Sequence, residues 1–439
     1  MRSERAVPRL VVRPLERFLR LEAGSASLLM AAALAALVWA NVAGRAYEDF
    51  WATGVTATVG PLQFEEDLQH LVNDLLMAIF FYVVALEVKR ELLFGSLRDR
   101  ASAAVPVAAA LGTMVGGGVV YLLVNFDGGE LRGWAVPIAT DIAFALGALG
   151  LVGRRAPSEL RAFLLTLAVV DDLGTIAVIG LFYTDSISLW WLLGAAGCTL
   201  AVIVLRRVGV RYIVPYVGLA GLLWLAVYES GVHATIAGVV LGFLTPAIAM
   251  QPRRATGNAL ASVLDKLKSD PHSEASEETA WEVSRVSREA VSPLTRMETQ
   301  LHPWSAFLIL PVFALANAGV PVSLERIGDA LTSQVGLGIA LGLVVGAPLA
   351  GIGLAWAAVR LTPARLPDGL DWGAIAGVAP LKGIGFTVAI FISVLAFDDE
   401  ATREQAKLAI LLASFIAALI GVAALGLRHR LVRASDRTQ

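Results

Sequence analysis

Apolar runs of about 20 residues recur twelve times along the chain, and each is long enough to cross a lipid bilayer as a helix. The predicted spans are 24–44, 68–88, 103–125, 134–152, 162–183, 188–205, 212–229, 233–249, 304–320, 336–358, 372–397 and 406–427. Hydrophobic residues make up 57% of the sequence and charged residues only 16%, against about 25% charged in a typical soluble domain. The sequence therefore predicts an all-α polytopic membrane protein with twelve transmembrane helices.

The remaining composition excludes several other classes of protein. The formal net charge is −2, so no basic field attracts nucleic acid, and we expect no nucleic-acid partner. Cys198 is the only cysteine in the sequence, which rules out a disulfide framework and a cysteine metal cluster. The five histidines show no metal-ligand spacing.

The distribution of Lys and Arg predicts the orientation in the membrane. If the N-terminus is inside and the spans alternate, 29 of the 35 basic residues lie in inner segments and 5 in outer segments. Both termini are then cytoplasmic. The chain divides into a basic segment 1–23, a twelve-helix transporter domain 24–427 and a tail 428–439. Residues 45–67 form an outer segment, either a loop or a small hairpin suited to subunit pairing, and 250–303 a long cytoplasmic loop.

Five charged residues lie inside predicted spans and away from the span ends, where each charge costs about 2.5–3.5 kcal/mol at the centre of the membrane. They are Asp74, Asp141, Asp171, Asp172 and Lys382. Such residues are usually functional because packing alone does not repay that cost.

Asp171 and Asp172 are neighbours in the middle of one span, about 100° apart around the helix. Two adjacent carboxylates cannot both stay ionised cheaply in a low-dielectric site. Protons or a small hard cation relieve the repulsion, so the pair favours exchange of one for the other. The alternative is a buried pair neutralised by a lysine or by water.

Two spans are predicted to be interrupted helices. Pro137 and Thr140 precede Asp141 in span 4. Pro380, Gly383 and Gly385 surround Lys382 in span 11. Broken helices in corresponding halves mark the midplane site of a transporter, where an acid suits free helix N-termini and a cation suits free carbonyls. Simple proline kinks are the alternative.

Other titratable groups have two interpretations each. Asp74 lies near the outer end of span 2, where it lines a water path or supports a neighbouring helix. His233 and His302 stand at the starts of spans 8 and 9, where an interfacial histidine is more often structural than a sensor. Histidine titrates near neutrality, so a role in pH response stays open.

Six segments in order resemble the motifs of the NhaA-type Na⁺/H⁺ antiporter family. They are NDLLMAIFFYVVALEVKREL (73–92), PIATDIAFALGAL (137–149), LAVVDDLGTIAVI (167–179), SGVHATIAGVVLGF (230–243), LHPWSAFLILPVFALANAGV (301–320) and GIGFTVAIFI (383–392). The resemblance implies an inverted-repeat fold whose interrupted helices, spans 4 and 11, cross near the bilayer midplane. It also implies exchange of internal Na⁺, and of Li⁺, for external H⁺ across a bacterial inner membrane, without a cofactor.

The resemblance also implies roles for individual residues. The ion-binding residues would be Asp171, Asp172, Thr140 and Asp141. The pH-response cluster would fall on Glu87, Arg90, Glu91 and Glu298, with His233 and His302 as further candidates. The outer segment 45–67 would pair two subunits into a homodimer.

One departure from the family concerns its charge balance. The family usually carries a lysine in span 10, where this chain has Ala347, whereas Lys382 stands where a neutral residue is usual. We hypothesise that Lys382 supplies the missing amine and reaches Asp171 or Asp141.

Two other functions are considered. A Na⁺-coupled symporter of an organic anion would need a roomy polar cavity, and no set of polar residues suggests one. An intramembrane aspartyl protease needs two aspartates on different helices, and only Asp141 with Asp171 would offer such a pair.

Overall fold

The computed structural model describes residues 9–59, 62–98, 100–152, 158–184, 187–210, 212–249, 290–367 and 369–436. The elements of the first half are α1 Arg9–Val42, α2 Gly44–Trp51, β1 Gly54–Val59, β2 Leu62–Asp67, α3 Leu68–Phe94, α4 Arg100–Asn125, α5 Ile142–Val152, α6 Ser158–Phe182, α7 Leu189–Val208, α8 Ile213–Tyr228 and α9 Thr235–Leu244. Those of the second half are α10 Pro293–Asn317, α11 Leu324–Thr332, α12 Gln334–Leu361, α13 Trp372–Val378, α14 Phe386–Ala396 and α15 Glu400–Asp436.

Shorter helical turns interrupt this pattern. Segments of 3₁₀ helix occupy Ser96–Arg98, Leu131–Ile138 and Ala379–Gly383. One π-helical turn interrupts each of α3, α10 and α12, at Val72–Leu76, Ser305–Ile309 and Gly342–Gly346 respectively.

Nine helical segments within the described ranges are long and apolar enough to cross a membrane. They are Gly24–Val42, Leu68–Phe94, Ala103–Asn125, Leu131–Gly150, Glu159–Phe182, Leu189–Val208, Pro293–Asn317, Gln334–Leu361 and Glu400–Arg428. A tenth span is possible if Trp372–Gly383 and Phe386–Ala396, which are bent by 44°, cross together. The protein is therefore a multi-pass helical membrane protein.

Two predicted spans coincide with helices shorter than a full crossing needs. The prediction 212–229 corresponds to α8 with 16 residues, and 233–249 to α9 with 10. Helix α9 ends early because Thr245 precedes Pro246, whose ring disfavours the helical conformation in the residue before it.

Two connecting segments are more ordered than the sequence indicates. In the outer segment 45–67, α2 is followed by an antiparallel pair of strands, with register from Gly54 opposite Asp67 to Val59 opposite Leu62. Within the predicted loop 250–303, α10 begins at Pro293, where the Ser292 hydroxyl accepts a hydrogen bond from the Thr295 backbone N–H. Residues 250–289 of that loop lie outside the described residues, as do 1–8 and 437–439 of the terminal segments.

Small residues allow α4 and α12 to pack backbone against backbone. A Cβ atom on Gly116 would lie 3.0 Å or less from the Gly346 carbonyl and Ala350, and one on Gly346 would meet the carbonyl of Gly116. Close approach through small residues is how membrane helices gain contact area without a hydrophobic driving force. This contact fixes α4 beside the broken helices that carry the site.

Helices α7 and α8 form a peripheral pair. Their buried residues Ala195, Leu223, Ala226 and Val227 join Ala237 of α9 in a hydrophobic cluster separate from the main core. Only 11% of the apolar span in α7 is buried inside the molecule. Its first turns carry an exposed Trp190 and its last turn Arg206 and Arg207.

Candidate ion-binding site

Two breaks in helical structure meet at the centre of the molecule. The 3₁₀ helix Leu131–Ile138 contains Pro137 and ends at Ala139, which is extended; α5 starts only at Ile142. The other break lies between Gly383 and Phe386, where Ile384 is extended. The Asp141 backbone N–H donates to the Ile384 carbonyl over 2.7 Å, so the two breaks contact each other directly.

Asp141 compensates the helix ends at this contact. Its carboxylate accepts hydrogen bonds from the Thr387 hydroxyl at 2.5 Å, the Thr387 backbone N–H at 3.3 Å and the Phe144 backbone N–H at 3.2 Å. These donors lie in the first turns of α14 and α5, whose N-terminal ends are positive. The buried carboxylate of Asp141 therefore binds two helix N-termini and makes no hydrogen bond to Asp171 or Asp172.

Asp171 lies on α6 and is almost completely buried, at 1% exposed. Its Oδ2 atom forms an ion pair with Lys382 and accepts a hydrogen bond from the Thr140 hydroxyl at 2.9 Å. Lys382 also donates to Thr140 Oγ1 over 2.5 Å. On the other side of the carboxylate, Oδ1 lies 3.4 Å from the hydroxyl of Thr113. Of the two partners hypothesised for Lys382, the structure brings it to Asp171.

The segment that carries Lys382 packs against α12 near Ala347. The 3₁₀ helix Ala379–Gly383 contacts the π-helical turn Gly342–Gly346, which directly precedes Ala347. A Cβ on Gly383 would lie 2.5 Å from the Leu343 carbonyl, which shows how closely the two backbones approach. Ala347 is itself buried, so the position where the resemblance implies a lysine lies beside the segment that carries Lys382.

Asp172 differs from Asp171 in its burial and in its hydrogen bonding. It is half-buried rather than buried, and it accepts no hydrogen bond from any residue that the structure describes. The charges that act on it are those of Glu87, Asp171, Asp141 and Lys382. The pair therefore consists of one carboxylate held by an amine and one open to a cation or a proton.

The residues expected in the pH response fall into two groups. At one end of α3, Arg90 Nε lies 3.0 Å from Glu298 Oε1, and Glu298 is mostly buried. Glu91 accepts hydrogen bonds from the backbone N–H and the hydroxyl of Ser96, both at 2.6 Å. Glu87 is half-buried on the same helix, and His302 follows Glu298 by one turn of α10.

His233 belongs to a different place, at the opposite end of α3. Its Nε2 lies 3.7 Å from Asp74 Oδ1, its Nδ1 lies 2.9 Å from the Thr235 hydroxyl, and its ring meets the edge of Phe391. Asp74 itself lies in the π-helical turn Val72–Leu76, and its carbonyl accepts a hydrogen bond from Trp224 Nε1 at 3.1 Å. The sequence gives Asp74 and His233 separate roles, and the structure makes them neighbours.

Two site residues are missing from the sequence-based set. Thr387 binds Asp141, and Thr113 contacts Asp171, and the sequence pattern indicates neither residue. Each is a single hydroxyl within an apolar run, which is a weak signal because threonine hydroxyls in membrane helices often bond only to their own backbone.

Comparisons with known proteins show the family of this chain. A family model described as Na⁺/H⁺ antiporter 1 matches residues 16–425. The Na⁺/H⁺ antiporter NhaA of Rhodopirellula baltica is 43% identical over 94% of this chain and 93% of its own length. The Na⁺/H⁺ antiporter NhaA 2 of Myxococcus xanthus is 45% identical over 94% of this chain and 89% of its own length. The Na⁺/H⁺ antiporter NhaA of Oleidesulfovibrio alaskensis is 45% identical over 93% of this chain and 92% of its own length.

None of these three names favours the symporter considered from the sequence, and all describe transporters rather than enzymes. The family match covers both helix breaks and both aspartates of the central pair. The chain belongs to the NhaA-type Na⁺/H⁺ antiporter family and exchanges Na⁺ for H⁺ across a membrane.

Proposed function

We propose that Asp171 and Asp172 bind Na⁺ and protons in competition, assisted by Thr140 and Asp141. The single observation that carries this proposal is the inequality of the two carboxylates. Asp171 is paired with Lys382, whereas Asp172 is half-buried and has no hydrogen-bond partner in the described part of the chain. A site with one negative charge left over attracts either cation, and occupation by one excludes the other.

Lys382 balances charge in this proposal. Lys382 neutralises Asp171 while Asp172 is protonated or binds no ion. It releases Asp171 when a metal cation binds both carboxylates. Thr140 links Lys382 to Asp171, because its hydroxyl contacts both side chains. Asp141 assists by holding the two helix starts together, which keeps Thr140 next to the pair.

The fold is proposed to be the twelve-helix inverted repeat, with the two interrupted helices crossing near the bilayer midplane. Support comes from the hydrogen bond between the two breaks and from the two short apolar helices α8 and α9, which add to the longer spans. The bias of Lys and Arg supports cytoplasmic termini in a bacterial inner membrane.

In this orientation the protein exports internal Na⁺, and Li⁺ as well, in exchange for external H⁺, driven by the proton-motive force. Its function would be homeostasis of Na⁺ and pH. The transported ions are the only small molecules required, with no cofactor and no nucleic-acid partner.

Regulation by pH is assigned to the cytoplasmic ends of α3 and α10. Arg90 and Glu298 form an ion pair there, in which Glu298 is mostly buried and Arg90 is exposed, with Glu87, Glu91 and His302 close by. On the outer side, Asp74 would line the water path, and His233 beside it would add to the pH response. The hairpin of β1 and β2, within 45–67, would join two copies into a homodimer in the lipid bilayer.

The test is Na⁺-induced proton flux in proteoliposomes, measured with an internal pH dye for wild type and for Asp172→Asn at pH values on both sides of neutrality. We expect flux in the wild type and none in the variant, because an amide neither binds Na⁺ as a carboxylate does nor releases a proton. Asn at this position conserves size, and detergent melting temperatures check the fold. Normal flux in Asp172→Asn would contradict the proposal.

A further inference from the structure

Two buried hydroxyl groups adjoin the corner of α6 that Asp171 and Asp172 flank. They belong to Thr113 on α4 and Thr175 on α6, and each residue is 2% exposed. We propose that Thr113 and Thr175 are neutral oxygen ligands of the transported Na⁺ and favour Na⁺ over H⁺ at this site. The proposal rests on the ion-binding role of the two aspartates given above.

The Thr113 hydroxyl has two acceptors within hydrogen-bonding distance, the Ala110 carbonyl at 2.7 Å and Asp171 Oδ1 at 3.4 Å. It has only one proton to donate, and the shorter bond to the Ala110 carbonyl is the stronger use of it. A hydroxyl has one donor and two lone pairs, so the lone pairs of Thr113 remain for another partner. Two oxygens that bind the same Na⁺ ion at about 2.4 Å, with a right angle between the two bonds, lie about 3.4 Å from each other.

Asp171 leaves the same side open. Lys382 and Thr140 both bind its Oδ2 atom, so Oδ1 carries only the long contact to Thr113. A cation that enters from the side of Asp172 therefore meets Oδ1 and the Thr113 oxygen without displacing Thr140.

Thr175 adds an oxygen from the helix of the aspartates themselves. At about 100° per residue it lies about 40° from Asp171 and about 60° from Asp172 around α6, and therefore between them. Its side chain leans toward the helix N-terminus, which is the direction of both aspartates. Its hydroxyl makes no hydrogen bond to any described residue, although buried polar groups nearly always find a partner.

These oxygens act differently on the two transported ions. A carboxylate binds Na⁺ or a proton, but a hydroxyl oxygen is far too weakly basic to hold a proton near neutrality. Thr113 and Thr175 therefore stabilise the Na⁺-bound site and contribute nothing to the protonated one. Hard cations prefer oxygen ligands, and the smaller Li⁺ needs fewer of them than Na⁺ does.

The experiment measures apparent KM for Na⁺ and Li⁺, and inhibition by protons, in proteoliposomes of Thr113→Val and Thr175→Val. We expect the KM for Na⁺ to rise about tenfold or more in each, the effect of losing a polar contact to a charge. The KM for Li⁺ should rise less, and proton inhibition and the maximal rate should not change. Thr113→Ser and Thr175→Ser keep the hydroxyl and should restore the KM.

Ser393→Ala is the matched control, because Ser393 is a buried hydroxyl on α14 that donates only to the Ile390 carbonyl. If a valine variant does not fold, Thr→Ala at the same position gives the comparison with Thr→Ser. An unchanged KM for Na⁺ overturns the proposal. Equal shifts for Na⁺, Li⁺ and H⁺ also overturn it, since they indicate a displaced Asp171. Activity in Asp172→Asn would instead contradict the ion site itself.

Discussion

At the scale of single residues, the ion pair of Lys382 and Asp171 makes a strong prediction, because both side chains are at most 3% exposed. Lys382→Ala would leave a buried carboxylate without its counter-charge, and removing one partner of such a pair costs about 3–5 kcal/mol. We expect a lower melting temperature in detergent, with altered apparent Na⁺ affinity and altered pH dependence of flux.

The double variant Lys382→Ala with Asp171→Asn is the control for that prediction. A neutral amide needs no counter-charge, so stability should return in large part while transport stays impaired. Wild-type stability, Na⁺ affinity and pH profile in Lys382→Ala alone would contradict a charge-balancing role.

The sequence predicts which charged residues are costly to bury in the membrane, but it does not predict which residues they contact. Asp171, Asp172 and Lys382 can be recognised as candidate site residues from the sequence, because a charge inside an apolar run is costly however the helices pack. The choice of Asp171 over Asp141 as partner of Lys382 was not predictable, since it depends on how α6 packs against the broken helix. For the same reason nothing in the sequence indicates that Asp74 meets His233.

At the scale of secondary-structure elements, the contact between α4 and α12 depends on Gly116. Gly116→Ala would place a Cβ within 2.4 Å of the Gly346 carbonyl, and such overpacking costs about 1–3 kcal/mol. We expect a lower melting temperature and slower transport, because α4 carries Thr113 next to the ion pair.

Gly353 provides the matched control on α12, since a Cβ there meets nothing within 4 Å. Gly353→Ala should leave stability unchanged or raise it by up to about 1 kcal/mol, because alanine favours the helix over glycine. Equal effects of the two substitutions would show that helix propensity, and not close packing, explains the result at Gly116.

Hydropathy predicted most elements and failed at identifiable places. Apolar runs indicate where a helix lies in the membrane, but α10 begins at Pro293 in a polar segment that hydropathy does not register. Alternation in 54–67 allowed both a loop and a hairpin, and the structure forms a hairpin.

At the scale of the whole molecule, the charge bias predicts which surfaces face each side of the membrane. In a Cys198→Ser background, Thr56→Cys in the hairpin and Thr362→Cys after α12 supply single exposed thiols. We expect a membrane-impermeant maleimide applied to whole cells to label Thr56→Cys and not Thr362→Cys. Labelling of Thr362→Cys should appear only after permeabilisation, and the reverse pattern would contradict cytoplasmic termini.

The peripheral position of α7 and α8 has a consequence for how the protein adapts to bilayer thickness. Twenty residues make α7 about 30 Å long, the thickness of a typical hydrocarbon core, and Trp190 and Arg206 mark its two ends. Because its cluster is separate from the main core, α7 can tilt to match a thinner or thicker membrane. We therefore expect hydrophobic mismatch to be absorbed at the rim, with little change in the geometry around Asp171 and Asp172 from one lipid composition to the next.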